Sequence, residues 1–408
     1  MNTRSFFGRT SLKVKQGIAA ALLATAGRVR LPFVSRRLLI VRLDAIGDYI
    51  LFRNHLRSLL TADRWKDYKV TFLGNAAFKE IAETFDGDLI AEFIWVDPAS
   101  ISDLRSRLTL FARLKSRYFD IAINPVHSRS FVHDELMRYS GAKRLIGSSG
   151  DSLGYNNEAE KKVGDSFYDE LVAVPSYSVF EYWRNHAFVS RLCNSVAIAP
   201  LSMPFKKSPY LDQQALSVVL FPGAGASSRR WPPEFFSELI DRIGTVRPDV
   251  QIIVAGGHSD VPIANEIKSS IGIPIKNLVG KTSLVELVDL IGSCNLLVSN
   301  ETSAVHIAAA VGTNAISISN GNHFGRFNPY PAEVSEKVMT IYPSDEFYSI
   351  DQSEIMTLIE RNRVVSKEDI RLITVDRLVA KVKQNISYLG SGKPIPSGLA
   401  AFLRINQG

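Results

Sequence analysis

Cysteine is scarce in this chain: Cys193 and Cys294 are the two among 408 residues. Neither sits in a Cys-x-x-Cys or Cys/His spacing, so the pattern of a structural zinc site is missing and two buried free thiols in a reducing compartment are expected. No apolar run reaches the roughly 18 residues of a membrane-spanning helix. The G-x-G-x-x-G dinucleotide fingerprint is absent, which argues against NAD binding and an oxidoreductase. Acidic residues are missing from the start of the chain: none precedes Asp44, while nine of the 48 basic residues do. The remaining 39 basic residues face 41 acidic ones, so the net charge of +7 sits in that arm. A nearly neutral body gives little support to a nucleic-acid partner. The basic arm suits an anionic surface such as a membrane leaflet.

Residues 1–37 form this arm. Within it, Gly17 to Ala26 (GIAAALLATA) is short, apolar and flanked by basic residues. Three readings stay open: an amphipathic helix on a membrane surface, a secretory or transit segment, and an ordinary terminal helix. The expected location is cytoplasmic, with a peripheral position at the inner face of the cytoplasmic membrane open through the arm.

Apolar and charged residues make up 46% and 22% of the chain, as in a globular protein long enough for two domains. Leu38 to Leu43 (LLIVRL) is a continuous apolar run with one Arg and reads as a buried parallel strand. Further strands are expected at Val70–Leu73, Glu92–Val96 and Phe119–Asn124, with helices at Ile50–Ala62 and Ser102–Tyr118. Gly147 to Asp165 is polar and Gly-rich and reads as a surface loop near a cleft. A second alternating series has strands at Val218–Phe221, Gln251–Ala255, Asn295–Ser299 and Ala315–Ile318. Its helices are expected at Pro233–Thr245, Val261–Ile271, Leu284–Gly292 and Ala304–Val311. The fold class is therefore α/β, with two Rossmann-like domains at 38–200 and 217–375. A Pro-rich linker spans 201–216, and a C-terminal helix and tail span 376–408.

Three segments carry chemistry, each at the end of an expected strand, where open α/β sheets bind ligands. In Leu39–Leu51 (LIVRLDAIGDYIL), Gly47 allows close backbone approach, and Asp48 either caps the helix or points into the cleft. In Val218–Pro232 (VVLFPGAGASSRRWP), the amides around Gly223, Ser227 and Ser228 can line a phosphate. Arg229 and Arg230 add charge and forked donors there. In Leu297–Ala310 (LVSNETSAVHIAAA), Thr302 and Ser303 open a helix whose free amides favour an anion. Glu301 suits ribose hydroxyls or a positive neighbour, and His306 is either a packing residue or part of the site.

In this order and spacing the segments resemble glycosyltransferase family 9, the ADP-heptose:lipopolysaccharide heptosyltransferase type. The resemblance covers roughly Leu38 to Tyr330, and Val279 to Leu287 resembles the family's helix lead-in. It implies a GT-B fold, two facing Rossmann-like domains with a cleft between them. It also implies a metal-independent inverting transfer from a nucleotide-sugar donor, ADP-heptose-like, to a glycan or glycolipid acceptor of lipopolysaccharide, O-antigen or capsule type. No further cofactor is implied. By position, Asp48 becomes the general base and Arg229 the donor-phosphate residue. Glu301 stands near the donor sugar, while Thr302, Ser303 and the helix amides hold the pyrophosphate. Asp260 falls near the ribose. From its own residues, Gly321 to Tyr330 (GNHFGRFNPY), with His323 and Arg326, reads as a donor-side loop or a packed surface loop. Three positions depart from the family: Asp44 replaces a serine, Glu301 an aspartate and Ser303 a glycine. The alternative reading is a non-catalytic nucleotide- or glycan-binding scaffold of the same fold.

Overall fold

The computed structural model describes residues 36–174, 180–348 and 368–391. Residues 1–35 of the basic arm and the tail from 392 lie outside the described residues. The first sheet holds β1 (Arg37–Arg42), β2 (Lys69–Asn75), β3 (Glu92–Val96), β4 (Ile121–Asn124), β5 (Arg144–Ser148) and β6 (Glu170–Val172). They pair in parallel in the order 3-2-1-4-5-6. The second sheet holds β7 (Ser217–Phe221), β8 (Gln251–Val254), β9 (Lys276–Asn277), β10 (Leu296–Asn300), β11 (Asn314–Ile318) and β12 (Val338–Ile341). Its order, β12-β11-β10-β7-β8-β9, is the same arrangement again. In both sheets the order reverses beside the first strand, so each has a crevice at the carboxyl end of β1 or β7.

The central strands are buried on both faces, which explains their unbroken apolar runs: β7, SVVLF, is buried throughout. Residues 147–165, read from sequence as a loop, include the end of β5 and a helix. The strands β5, β6, β9 and β12 had no sequence counterpart. Three of them are short, polar-flanked edge or near-edge strands with little alternation to detect.

The helices of the first half are α1 (Ile46–Thr61), α2 (Lys79–Asp86), α3 (Leu104–Lys115), α4 (Phe131–Tyr139), α5 (Glu158–Asp165) and α6 (Glu181–Leu192). Those of the second are α7 (Pro233–Val246), α8 (Val261–Ser270), α9 (Leu284–Ser293), α10 (Ser303–Val311) and α11 (Val375–Ser391). Local chemistry sets several starts. Pro233 occupies the first position of α7, where its missing N–H costs nothing. Ser283 and Glu286 form a reciprocal capping box at α9. The last helix, α11, packs on α7, and Leu378, Val379 and Val382 enter the second core. Trp231, fully buried, donates its indole N–H to Ile373 O at 2.7 Å and fastens the loop after β7 to the lead of α11.

The halves also share apolar packing. Leu56 and Leu59 of the first half belong to one cluster with Leu287, Val305 and Ala308 of the second. The contact runs through α1 against α10, whose residues Ala304 to Ala310 are all buried. Gly47 sits at the closest point. A methyl there would lie 2.5 Å from His306 Cδ2, so glycine is what allows the first turns of α1 and α10 to meet. The segment joining the halves lies along this contact: Met203 N donates to Ala310 O at 2.9 Å, and Lys206 N to Asp289 Oδ1 at 2.7 Å.

Gly47→Ala must push the two helix starts apart. We expect a stability loss of about 1–3 kcal/mol, as for other overpacked interiors, read from the urea midpoint. An unchanged midpoint would show that the two turns are not in contact in solution.

Candidate active site

A buried parallel strand has no natural place for a cation, yet β1 ends in Arg42, which is fully buried. The turn after β1 is wrapped around this side chain. Its guanidinium bonds Asp44 at 3.0 and 2.8 Å, the backbone carbonyl of Asp48 at 3.2 Å and Asn185 Oδ1 at 3.3 Å. Its plane lies 4.2 Å from the Phe52 ring centroid. Asp48, in the first turn of α1, faces the second half. Its Oδ1 is 3.3 Å from Arg326 Nη2, and the same guanidinium places Nε 3.1 Å from Glu181 Oε2. Glu181 N also donates to Arg326 O at 2.9 Å. Arg184 and Arg42 complete the ring around Glu181 at 3.7 and 4.0 Å.

The charges in this cluster do not behave alike. Glu181 is almost wholly buried, which would raise its pKa, but Arg326, Arg184 and Arg42 outweigh burial and hold it down at about 2. Burial raises Asp48 above the ordinary carboxylate value. Arg326 offsets part of that rise, and the Glu181 charge adds to it. Asp44 is pushed up to about 7 by burial, against Arg42 and with Asp48 and Glu181 adding. Asp48 is thus a more basic carboxylate than a surface one. Its side chain keeps 11% exposure at the junction of the halves.

Across the junction, the second half offers its own crevice. Asn300, at the end of β10, accepts from Trp231 N at 3.1 Å and donates to Pro222 O at 2.7 Å, fixing the Pro-Gly loop beside α10. Gly223 packs on the Asp260 carboxylate, where a methyl would come within 2.2 Å of Oδ2. Arg229 Nη1 reaches Glu301 O at 3.4 Å, and its charge acts on the Glu301 carboxyl. Glu301 is buried, yet its hydrogen bonds to His323 and Ser319, with the His323 and Arg229 charges, keep it below the usual range. Thr302 is the N-cap of α10, accepting from Ala304 N at 3.2 Å. Ser303 opens the helix, half-buried.

Arg229, Glu301, Thr302, Ser303 and His323 are therefore gathered at one rim. Ser227 and Ser228 are exposed in the same loop, where Asn320 Nδ2 holds Ser228 O at 3.1 Å. Three candidates take other positions. Arg230 turns back onto Ala224 O at 3.0 Å. The Asp260 carboxylate is spent on Gly257 N at 2.9 Å and on Gly223. His306, held neutral by burial at about 4, bonds Tyr330 OH and packs on Gly47. Arg326, expected on a donor-side or a packed surface loop, reaches the carboxylates of the first half. Sequence reasoning missed Glu181 and Arg184, which carry no local pattern. The signal for Arg42 was visible as the one charge in an apolar strand. The triplet Asp86-Gly87-Asp88 is held by arginines: Arg53 bonds Asp86 at 3.0 Å and Arg57 bonds Asp88 at 2.8 Å.

Residues 197–353 match the family model "Glycosyltransferase family 9 (heptosyltransferase)". This stretch, most of the second half, is similar to family 9 glycosyltransferases. Lipooligosaccharide heptosyltransferase 2 of Haemophilus influenzae is 29% identical over 143 residues, covering 34% of this chain and 39% of that protein. The aligned part thus spans well under half of that curated relative. The family 9 glycosyl transferase of Veillonella parvula superimposes with a TM-score of 0.65 at 15% identity, over 88% of this chain and 99% of that one. Escherichia coli heptosyltransferase WaaC with ADP gives 0.60 at 14% identity, over 86% and 99%. At these identities the structural likeness shows the fold, two Rossmann-like domains of the GT-B type.

Arg326 neutralises two buried carboxylates. Arg326→Met should cost about 3–5 kcal/mol, the usual consequence of leaving a buried charge without its partner, and Arg326→Lys should recover part of it. Equal urea midpoints for wild type and the Met variant would show that the bridge does not form.

Proposed function

We propose that the protein is an inverting glycosyltransferase. It moves a sugar, heptose or a relative, from a nucleoside-diphosphate donor to a glycan acceptor of the lipopolysaccharide, O-antigen or capsule type. The carrying observation is the meeting of two helix starts, α1 with Asp48 and α10 with Ser303, at the Gly47–His306 contact. A helix N-terminus favours an anion through its free amides and dipole. A carboxylate of raised basicity beside such a site is the pairing that acceptor deprotonation and diphosphate departure require.

The acceptor hydroxyl attacks the anomeric carbon from the side opposite the diphosphate. A new C–O bond forms, the bond to the diphosphate oxygen breaks, and the hydroxyl proton passes to Asp48. Arg229 and the amides at the start of α10 take the charge of the leaving diphosphate, and that charge is assigned to these groups rather than to a metal ion. Glu301, steadied by His323 and Ser319, faces the donor sugar. Escherichia coli heptosyltransferase WaaC, which shares the fold, has been seen with ADP, and this supports an ADP-linked donor for the present chain as well.

Asp48→Asn should lower kcat by 100-fold or more, roughly the usual contribution of a general base, and leave the donor dissociation constant nearly intact. Because burial raises Asp48 above the ordinary carboxylate value of 3.8, the acid limb of kcat/KM should have its midpoint above that value. Activity should be lost as the pH falls through that limb, as protonation removes the base. Full turnover by the Asn variant sinks the assignment. Arg229→Ala should weaken binding of the nucleoside diphosphate by about tenfold, the scale of one charge-assisted hydrogen bond, read by calorimetry. Binding without sugar transfer to any glycan would favour the scaffold reading instead.

A further inference from the structure

The Gly-rich stretch after β5 and the loop after β4 are used by nothing described so far, yet the fold invests heavily in them. They are zipped together. Asp151 N donates to His127 O at 3.3 Å, Ser128 Oγ to Asp151 Oδ2 at 2.8 Å, and Ser130 and Gly154 form a bridge. Gly150 has φ +61°, and a methyl on it would stand 2.1 Å from His127 O, so only glycine closes the pair. Beneath them Arg129 is fully buried. It bonds Asp134 at 2.6 Å, pairs with Asp165 and lies 4.7 Å from the Tyr168 ring centroid. Tyr155 and Tyr168 donate to the same Asp134 at 2.7 and 2.8 Å.

This rigid base presents two side chains. His127 Nε2 lies 3.8 Å from Asp151 Oδ2, with side-chain exposures of 14% and 26%. His127 Nδ1 is buried and has no hydrogen-bond partner among the described residues. Burial and the Arg184 charge pull the imidazole down to about 4, so it is neutral near pH 7. A neutral imidazole keeps one ring nitrogen as an acceptor and the other as a donor. A buried polar atom without a partner calls for one, and the neighbourhood says which. The β4 strand pairs with β1, so the loop carrying His127 and the turn carrying Asp48 share one sheet edge, about 5 Å apart in strand spacing. Arg326, which grips Asp48, also feels the Asp151 charge.

We infer that His127 and Asp151 form the acceptor subsite, gripping hydroxyls of the acceptor sugar next to the one that Asp48 deprotonates. The inference rests on the glycosyl-transfer reading. Asp151 has one oxygen taken by Ser128 and the other by Leu153 N at 3.0 Å, each with lone pairs to spare for a sugar O–H. Together with an imidazole acceptor, it selects a neutral polyol and disfavours a phosphate or carboxylate at that point. Both residues are positioning groups: they hold the acceptor, and Asp48 takes the proton.

The test compares wild type, His127→Phe, His127→Gln and Asp151→Asn, with ADP-heptose as donor and core oligosaccharide released from lipopolysaccharide as acceptor. Transfer to the oligosaccharide and slow transfer to water are measured side by side. The expected result is a rise of tenfold or more in acceptor KM for the Phe and Asn variants, with partial recovery in the Gln variant. Transfer to the oligosaccharide should fall at least tenfold more than transfer to water. Parallel losses in both reactions, or an unchanged acceptor KM, overturn the subsite. If the wild type turns over no donor, the functional reading fails instead. Saturation-transfer NMR then decides the subsite separately: oligosaccharide binding lost in Asp151→Asn supports it, and equal binding overturns it. Matching thermal midpoints for wild type and Asp151→Asn confirm that the loops still fold.

Discussion

Two carboxylates of the first half, Asp48 and Glu181, share one guanidinium from the second, Arg326. Much of the molecule follows from that arrangement. Removing two charges from water is costly unless a counter-charge is held in good geometry. Here the counter-charge is supplied across the junction, so the electrostatics of the first half are complete only when the second half is docked. The apolar contact of α1 with α10 does the docking, and Gly47 provides the room. Shape and charge thus specify the same relative placement of the halves.

The same cluster divides labour among three carboxyls within one site. Glu181 is held fully ionised and stays a fixed negative charge. Asp44, pinned on Arg42, is pushed far up and acts as a brace for the turn. Asp48 lies between these extremes and keeps some exposure, which is the condition a base needs: enough burial to raise its proton affinity, and an open side for a substrate to approach. The second half treats Glu301 in the opposite way, since His323 and Ser319 tie up its oxygens and lower its proton affinity. The proposed reaction uses that contrast: one rim carries a carboxylate of raised proton affinity and the other a carboxylate held ionised.

The loops of the two halves are also built differently. In the second, short polar side chains hold the backbone in place: the Asn300 amide ties Trp231 N to Pro222 O, and the Asp260 carboxylate packs under Gly223, which leaves backbone at the surface of the loop. In the first, a buried arginine does it, with Arg129 holding the loops after β4 and β5. Backbone-lined crevices suit phosphate, which any amide can bind. Side-chain-lined crevices, rigidly supported, suit a ligand that has to be distinguished by the positions of its hydroxyls.

The sequence by itself determined the two alternating series and the positions of most central strands and helices. Buried parallel strands are continuous apolar runs, and amphipathic helices repeat every 3.6 residues. It also put Asp48, Arg229 and Glu301 just after strands, where the fold has them. The short strands β6 and β9 escaped because two or three residues carry no period. Tertiary structure alone decided the partners. That Arg326 crosses to Asp48 and Glu181, that Asp260 braces a loop, and that His127 meets Asp151 all depend on residues far apart in the chain. Such pairs leave no trace in local spacing, because an ion pair or hydrogen bond is set by where the fold brings two side chains, not by how many residues separate them.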